Sequence, residues 1–165
     1  MLRTIYERLM DLDSPWAITG SLGFALHGMD SPVGDIDLQT DWDGVCQIQK
    51  LFRNQVVKKV AFSEAKAIRS HFGELRILGV KVEIMGAVQK RLPSGEWESP
   101  VEVQRHRTFV EFDGMKLPVL SLDYEEKAYR ILGRIDKADT IKQWLMSSPT
   151  HCDKLLSGSL SFRPM

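Results

Sequence analysis

The sequence predicts a mixed α+β domain in which a mixed sheet is flanked by helices and two short helices follow at the C-terminal end. Short apolar runs bounded by glycine or proline fill much of the first two thirds of the chain, as is typical of buried strands. Two alternating segments meet at Gly79, which indicates an antiparallel hairpin. Two further helices are predicted only after Ser121. At 165 residues, the chain has the length of one domain with a proper core.

The first third of the chain is predicted to alternate between helices and strands. Apolar residues recur at helical spacing from Leu2, Ser14-Pro15 breaks that helix, and Gly28 stops a second one. Either Asp41 or Asp43 can cap a third helix, because aspartate accepts hydrogen bonds from the first helical turn. The predicted elements are a helix over residues 2–12, a strand over 16–19, a helix over 22–27, a loop over 29–34, a strand over 35–39 and a helix to about residue 52.

The remaining two thirds are predicted to hold further strands followed by two helices. Pro93-Ser94-Gly95 marks a turn, and Ser121 is suited to cap the first C-terminal helix. The predicted elements are a strand over residues 56–62, a hairpin over 68–78 and 80–85, an extended pair over 109–112 and 117–120, and helices over 121–132 and 136–145. The domain is therefore expected to span residues 1–147. Periodicity is lost beyond it, which is consistent with a poorly ordered tail over residues 148–165.

Composition and charge narrow the classes of function. Apolar residues make up 43% of the chain and charged residues 27%, which is typical of a soluble globular protein. Basic and acidic residues balance at 22 each, and zero net charge argues against a protein whose main task is to coat nucleic acid. No apolar run approaches the roughly 18 residues of a membrane span, and the first residues lack the apolar core of a signal peptide. Cys46 and Cys152 form neither a metal-type pair nor a disulfide framework, so the expected location is the cytoplasm.

The most informative pattern is Gly20-Ser21 followed by Asp35-Ile36-Asp37. Carboxylates at positions i and i+2 of a strand project from the same face, with Cα atoms roughly 7 Å apart, and can converge on a divalent cation. The small-residue turn opens a predicted helix, and a helix N-terminus favours phosphate. The alternative is an ordinary solvated strand end with capping aspartates. The apolar flanks favour the metal interpretation, because carboxylates beside a core are costly without a cation or donors.

Glu83 is the candidate third acid, since it lies between Val82 and Ile84 in an apolar segment. It is either an edge-strand glutamate paired with Lys81 or a neighbouring lysine, or the ligand that completes a cage of three carboxylates. Three acids without a histidine or thiol cluster suit Mg²⁺ better than zinc, with Mn²⁺ as the alternative ion.

Other polar residues have two interpretations each. The Ser21 amide and hydroxyl either belong to an ordinary strand-to-helix turn or hold the terminal phosphates of a nucleotide. His27 is predicted to be a partly buried structural histidine rather than a base. The basic residues of the C-terminal helices form either a solvated face or, for one or two of them, a patch that faces a triphosphate. They are Lys127, Arg130, Arg134 and Lys137, of which Lys127 is taken as the nucleotide-binding candidate.

Gly20-Ser21, Asp35-Ile36-Asp37 and Val82-Glu83-Ile84 together resemble the motif set of the nucleotidyltransferase (polymerase β-like) superfamily. The compact size and the segment 20–28 are similar to small prokaryotic members related to the lincosamide and aminoglycoside adenylyltransferases. The similarity reaches to about residue 145 and includes the blocks 35–41, 70–73, 81–86 and 118–122.

The resemblance implies a nucleotidyltransferase-type mixed sheet and a two-metal reaction. Asp35 and Asp37 would hold Mg²⁺ ions on the triphosphate of an NTP, with ATP foremost, and Glu83 would bind one ion and activate an acceptor hydroxyl. Gly20 and Ser21 would anchor the β- and γ-phosphates. The acceptor implied is a small molecule, a protein or an RNA.

A second hypothesis is a non-catalytic or regulatory module that binds a partner protein, as toxin–antitoxin pairs of this superfamily do. Many relatives carry an arginine before the Asp-x-Asp pair, whereas residues 30–33 hold none. The two short C-terminal helices would also enclose little of an acceptor. A homodimer or a partner chain is therefore expected to complete the site unless the acceptor is itself large. A third and weaker hypothesis is a structural domain with incidental acids, in which replacing Asp35 or Glu83 by alanine is neutral or stabilising.

Overall fold

The computed structural model describes residues 1–148, in which seven strands form one mixed sheet flanked by six helices. The helices are α1 (Leu2–Leu9), α2 (Gly20–Leu26), α3 (Trp42–Leu51), α4 (Val103–His106), α5 (Leu122–Ile131) and α6 (Ile135–Ser147). The strands are β1 (Trp16–Thr19), β2 (Ile36–Thr40), β3 (Val56–Glu64), β4 (Ile68–Ile77), β5 (Val80–Lys90), β6 (Arg107–Phe112) and β7 (Met115–Leu120). No helix within this part of the chain has the length and apolar character needed to cross a membrane.

The sheet has the strand order β3-β4-β5-β2-β1-β7-β6. The outer pairs are antiparallel hairpins, whereas β2 runs parallel to β5 and β1 runs parallel to β7. The two central strands, β1 and β2, are antiparallel to each other. The predicted mixed α+β class is therefore confirmed, and the predicted hairpin around Gly79 is the β4–β5 pair.

One face of the sheet packs against α1 and α3 and forms the main core. Ile5 and Leu9 of α1 and Val45 and Ile48 of α3 are almost fully buried there. Each such side chain stabilises the fold by about 1.5–3 kcal/mol through removal of its apolar surface from water. Their strand partners include Ile18, Ile36, Leu38, Val82, Ile84, Leu117 and Val119.

The opposite face is covered at β1 and β7 by the segment around α4 and by α5. Ala17 alternates with Ile18 and therefore points to this side, where it packs with Val103 and Leu120. α6 packs against α5, and together they enclose a separate apolar cluster with α2. The members of that cluster are Phe24, Met29, Leu122, Tyr129, Ala138 and Ile141.

Several predicted boundaries are wrong, and β5 gives the clearest physical reason. The strand was expected to end at Met85, yet it continues through Gly86 to Lys90. Gly86 lies under α3, where a Cβ atom would come within 2.5 Å of the Val45 Cγ1 atom. This glycine therefore allows close packing of a helix on the strand and does not end the strand.

The helix boundaries also differ from prediction. α1 ends at Leu9 rather than residue 12, and α2 begins at Gly20, so that Gly20 and Ser21 form its first turn. α4 was not predicted from the sequence. The predicted caps are present: Asp41 accepts from Gly44 N–H at 2.7 Å, and Ser121 accepts from Tyr124 N–H at 3.3 Å. The predicted tail lies, from residue 149 onward, outside the described residues.

Candidate functional site

Three carboxylates meet on the sheet face opposite α1 and α3. Oxygen atoms of Asp35, Asp37 and Glu83 all lie within 4.8 Å of one another. The parallel pairing of β2 with β5 produces this arrangement, because it places Asp37 directly beside Glu83. Asp35 immediately precedes β2 and reaches the same place from two residues earlier. The structure therefore brings together the three acids that the sequence singled out.

The local sequence explains why these carboxylates point away from the core. Ile36 and Leu38 are each 1% exposed beneath α1 and α3, so the alternating residue Asp37 projects to the other face. Glu83 is half-buried between the fully buried Val82 and Ile84. β5 lies inside the sheet between β4 and β2, so the interpretation of Glu83 as an edge-strand residue is wrong.

Lys81 lies within the acid cluster. Its Nζ atom is 2.7 Å from Glu83 Oε1 and 3.0 Å from Asp35 Oδ2. These two hydrogen bonds, with Glu83 contributing most, raise the pKa of the Lys81 ammonium. The pairing of Glu83 with Lys81, considered from the sequence as an alternative to a metal cage, thus coexists with the three-carboxylate cluster.

Asp37 is the carboxylate whose charged form is least favoured. Burial raises its pKa to about 7, and the negative charges of Asp35 and Glu83 contribute to the same direction. A group that holds a proton so strongly gains most from a nearby cation. Even with the Lys81 ammonium present, further positive charge beside Asp37 is therefore favoured, which is the property expected of a divalent-cation site.

The Gly20-Ser21 turn directly adjoins the acids. Thr19 at the end of β1 pairs with Asp37, so the next residue begins α2 beside that carboxylate. Gly20 has φ +67°, and a Cβ atom on it would lie 2.5 Å from Asp37 Oδ2. Glycine is required here both for the backbone conformation and for the close approach. Ser21 is half-buried in the first turn of α2.

A fourth acid, Glu125 of α5, supports this turn from behind. It is 4% exposed and accepts hydrogen bonds from the Thr19 hydroxyl and from the Gly20 N–H, the latter at 3.3 Å. Burial raises the pKa of Glu125, and the two hydrogen bonds oppose that effect. Sequence reasoning missed this residue. The available signal was a glutamate on the apolar side of a helix, where Leu122, Ala128 and Tyr129 are also buried.

Among the basic residues of the C-terminal helices, Lys137 rather than Lys127 lies on the side of Glu125. Lys137 Nζ lies 5.0 Å from the Tyr129 ring centre and 5.4 Å from that of Phe24, and its charge acts on Glu125. Arg134 lies over the Tyr129 ring as well, at 5.8 Å. The charges of Glu125 and Asp37 both act on the Tyr129 hydroxyl, so this cationic end of α6 neighbours the acid site.

The other basic candidates are placed differently. Lys127 is exposed and lies about 200° around α5 from Glu125, which puts it on the side facing away from the turn. Arg130 is held by Glu126 and Asp139 in a surface ion-pair network. His27 is buried, with Nε2 2.9 Å from the Leu120 carbonyl oxygen, as expected for a structural histidine.

A mixed sheet that presents Asp-x-Asp beside a Gly-Ser turn, with a third acid on the parallel neighbour, is the architecture of the nucleotidyltransferase (polymerase β-like) superfamily. Within it, the family model for aminoglycoside-2''-adenylyltransferase matches residues 1–143, and the chain belongs to this family. Among curated proteins, none matches the chain.

Solved structures with similar folds agree with this assignment. TM1012 of Thermotoga maritima, provisionally described as a nucleotidyltransferase, is 52% identical, with a TM-score of 0.77 over 89% of this chain and 91% of that protein. The lincosamide antibiotic adenylyltransferase LnuA, bound to lincomycin, is 16% identical, with a TM-score of 0.52 over 85% and 95% of the two chains. ANT(2'')-Ia, in complex with adenylyl-2''-tobramycin, is 12% identical, with a TM-score of 0.51 over 88% and 95%. The last two similarities concern the fold alone.

Proposed function

We propose that this protein transfers a nucleotidyl group from an NTP, with ATP foremost, to a hydroxyl of an acceptor and releases pyrophosphate in a Mg²⁺-dependent reaction. The observation that carries the proposal is the meeting of Asp35, Asp37 and Glu83 within 4.8 Å, directly beside the Gly20-Ser21 turn. Membership of an adenylyltransferase family supports the same reaction type.

The donor set fits a divalent cation of the magnesium type. All three groups are carboxylates, which Mg²⁺ prefers, and the placement of the Lys81 ammonium between two of them indicates that positive charge is stabilised there. Asp35, Asp37 and Glu83 would hold the ion. A bound divalent cation supplies charge neutralisation on the triphosphate and on the attacking and leaving oxygens.

Other residues of the chain would bind the phosphates and accept the proton of the acceptor. The Ser21 amide and hydroxyl would donate hydrogen bonds to the terminal phosphates, while Lys137 and Arg134 would offset their charge. Glu83 would accept the proton of the acceptor hydroxyl as its oxygen forms a bond to the α-phosphorus. The bond from that phosphorus to the pyrophosphate oxygen breaks in the same displacement, so that pyrophosphate leaves with its electron pair.

The acceptor is proposed only as a hydroxyl compound. The relatives of similar fold were solved with lincomycin or with adenylyl-2''-tobramycin, so antibiotics with free hydroxyls are the first compounds to offer. A protein or RNA acceptor is the next class to test, because the described C-terminal part adds only the two helices α5 and α6 beside the site.

A transfer assay tests the proposal. The protein is incubated with Mg²⁺, ATP labelled at the α-phosphate and a panel of aminoglycosides, lincosamides, nucleosides and total RNA. We expect Mg²⁺-dependent transfer of label to one class, and loss of at least a hundredfold in rate for Asp37→Asn. Asp30→Asn is the matched control, because it makes the same chemical change at an exposed residue of the preceding loop.

Nucleotide binding is measured in parallel by isothermal titration calorimetry. If no NTP binds at millimolar concentration with Mg²⁺, and Asp37→Asn leaves every measured property unchanged, the proposal is wrong. Tight nucleotide binding without transfer to any acceptor would instead favour the regulatory-module hypothesis.

A further inference from the structure

The position of Lys81 has a consequence for the number of cations at the site. Its ammonium contacts two of the three carboxylates, Glu83 at 2.7 Å and Asp35 at 3.0 Å. It therefore lies within the cluster rather than at its rim. The third carboxylate, Asp37, interacts with the charges of Lys81 and of the other two acids.

The backbone makes this placement a fixed feature. Lys81 precedes Glu83 by two residues on β5, so the two side chains leave the same face of an internal strand. In the parallel register Ile36 pairs with Val82, which puts the residues immediately before them, Asp35 and Lys81, side by side. The same β2–β5 pairing that brings the three acids together therefore also places Lys81 beside them.

The ammonium already supplies positive charge between two of the three carboxylates, at the place where an ion shared by Asp35 and Glu83 would bind. The Lys81 side chain is 36% exposed and that of Asp35 is 34% exposed, so ions from solvent reach the cluster, yet two of its carboxylates are already bridged.

We propose that Lys81 is a built-in cation of this site, which takes the place between Asp35 and Glu83 that a second divalent ion would otherwise fill, so that the chain binds one divalent cation and not two. This inference rests on the proposed nucleotidyl transfer and deepens it. One of the two cations of a two-metal reaction would thus be the Lys81 ammonium of the protein itself.

An ordinary exposed ion pair is the competing interpretation. Such pairs contribute little, and a divalent ion displaces the lysine readily. The lysine would then not affect the number of bound ions. The two interpretations therefore differ in metal stoichiometry, which is measurable without any acceptor.

The experiment counts bound Mn²⁺ by electron paramagnetic resonance of the free ion, with a non-hydrolysable ATP analogue present in excess over protein and corrected for Mn²⁺ bound to free analogue. We expect one Mn²⁺ for the wild-type protein and two for Lys81→Met. Without nucleotide, the same substitution is expected to strengthen Mn²⁺ binding at least tenfold, because a positive charge close to the ion is removed. Arg76→Met is the matched control, since Arg76 is the partner of Lys81 on β4 and pairs with Glu74 instead. It is expected to bind Mn²⁺ as the wild type does.

Each outcome decides the inference. Two ions on the wild-type protein would overturn it even if Lys81→Met failed to fold. One ion on both proteins with equal affinity would overturn it too and leave the proposed function intact. A wild-type protein that binds neither the analogue nor Mn²⁺ would contradict the proposed function as well, and this result is distinct from the other two.

Discussion

The Gly20 N–H donates to Oε1 of Glu125 over 3.3 Å, and this contact ties the first C-terminal helix to the turn beside the acid site. The Thr19 hydroxyl donates to the same oxygen. A single buried carboxylate thus fixes the end of β1 and the start of α2, where Asp37 is almost in contact with the backbone. The position of Ser21 relative to the acids consequently depends on a residue more than a hundred positions away in the chain.

Replacing Glu125 by alanine is expected to destabilise the fold by about 1–3 kcal/mol, because it leaves buried donors on Thr19 and Gly20 without a partner. Glu125→Gln keeps an acceptor oxygen in place and is expected to cost less than half as much. Urea denaturation followed by circular dichroism measures both. Equal losses for the two variants would show that packing, rather than the accepted hydrogen bonds, accounts for the role of Glu125.

Gly20→Ala adds only one methyl group, yet it is expected to lower both the stability of the fold and the affinity for Mn²⁺. A left-handed backbone costs a non-glycine residue about 1–2 kcal/mol, and the added Cβ atom would force Asp37 out of position. We therefore expect both a lower midpoint of thermal unfolding and weakened Mn²⁺ binding. Gly34→Ala is the control, since a Cβ atom there would meet no atom within 4 Å. An Mn²⁺ affinity unchanged in Gly20→Ala would contradict the described contact.

Asp37 predicts a specific dependence on pH. Its folded pKa is raised from 3.8 to about 7, so between these values the unfolded chain releases the proton and the folded protein retains it. The metal-free wild type therefore loses stability as pH rises through this interval, while Asp37→Asn lacks this contribution. Denaturation curves at pH 4, 6 and 8 are expected to show that the free energy of unfolding of Asp37→Asn rises relative to that of the wild type as the pH increases.

Added Mg²⁺ is expected to oppose this loss of stability in the wild type. Protons compete with the cation for Asp37, so the increase in melting temperature caused by Mg²⁺ should be larger at pH 8 than at pH 6 for the wild type. Asp37→Asn should show little increase at either pH. A Mg²⁺ effect that is independent of pH and of this substitution would place the ion elsewhere.

Lys137→Met is expected to weaken binding of an ATP analogue about tenfold or more, because a charge-assisted contact to phosphate is lost. Lys127→Met, which makes the same change on the exposed side of α5, should bind as the wild type does. Isothermal titration calorimetry compares the two directly. The reverse result would restore Lys127, the candidate taken from the sequence, as the nucleotide-binding residue.

The difference between Asp37 and Lys137 shows how much the sequence could predict. Asp35 and Asp37 were identified from strand alternation, which is a local property, and Glu83 from its apolar neighbours and its place in the family motif. Their convergence depends on the register between β2 and β5. The positions of Lys137 and Glu125 relative to the turn depend on the packing of α5 and α6 on α2, which the sequence pattern of either helix does not determine. The role of Gly86 could not be predicted from the sequence for the same reason, since it depends on Val45 of another element.

The parallel pairing of Asp37 on β2 with Glu83 on β5 also has a consequence during synthesis of the protein. Parallel neighbours need a crossover, here through α3 and the β3–β4 hairpin, so the acids converge only after the chain has been made through β5 and β5 has paired with β2. A partly made chain has the Asp-x-Asp pair but lacks its third carboxylate and Lys81. A cation that needs all three carboxylates would therefore bind only chains in which β5 has joined β2.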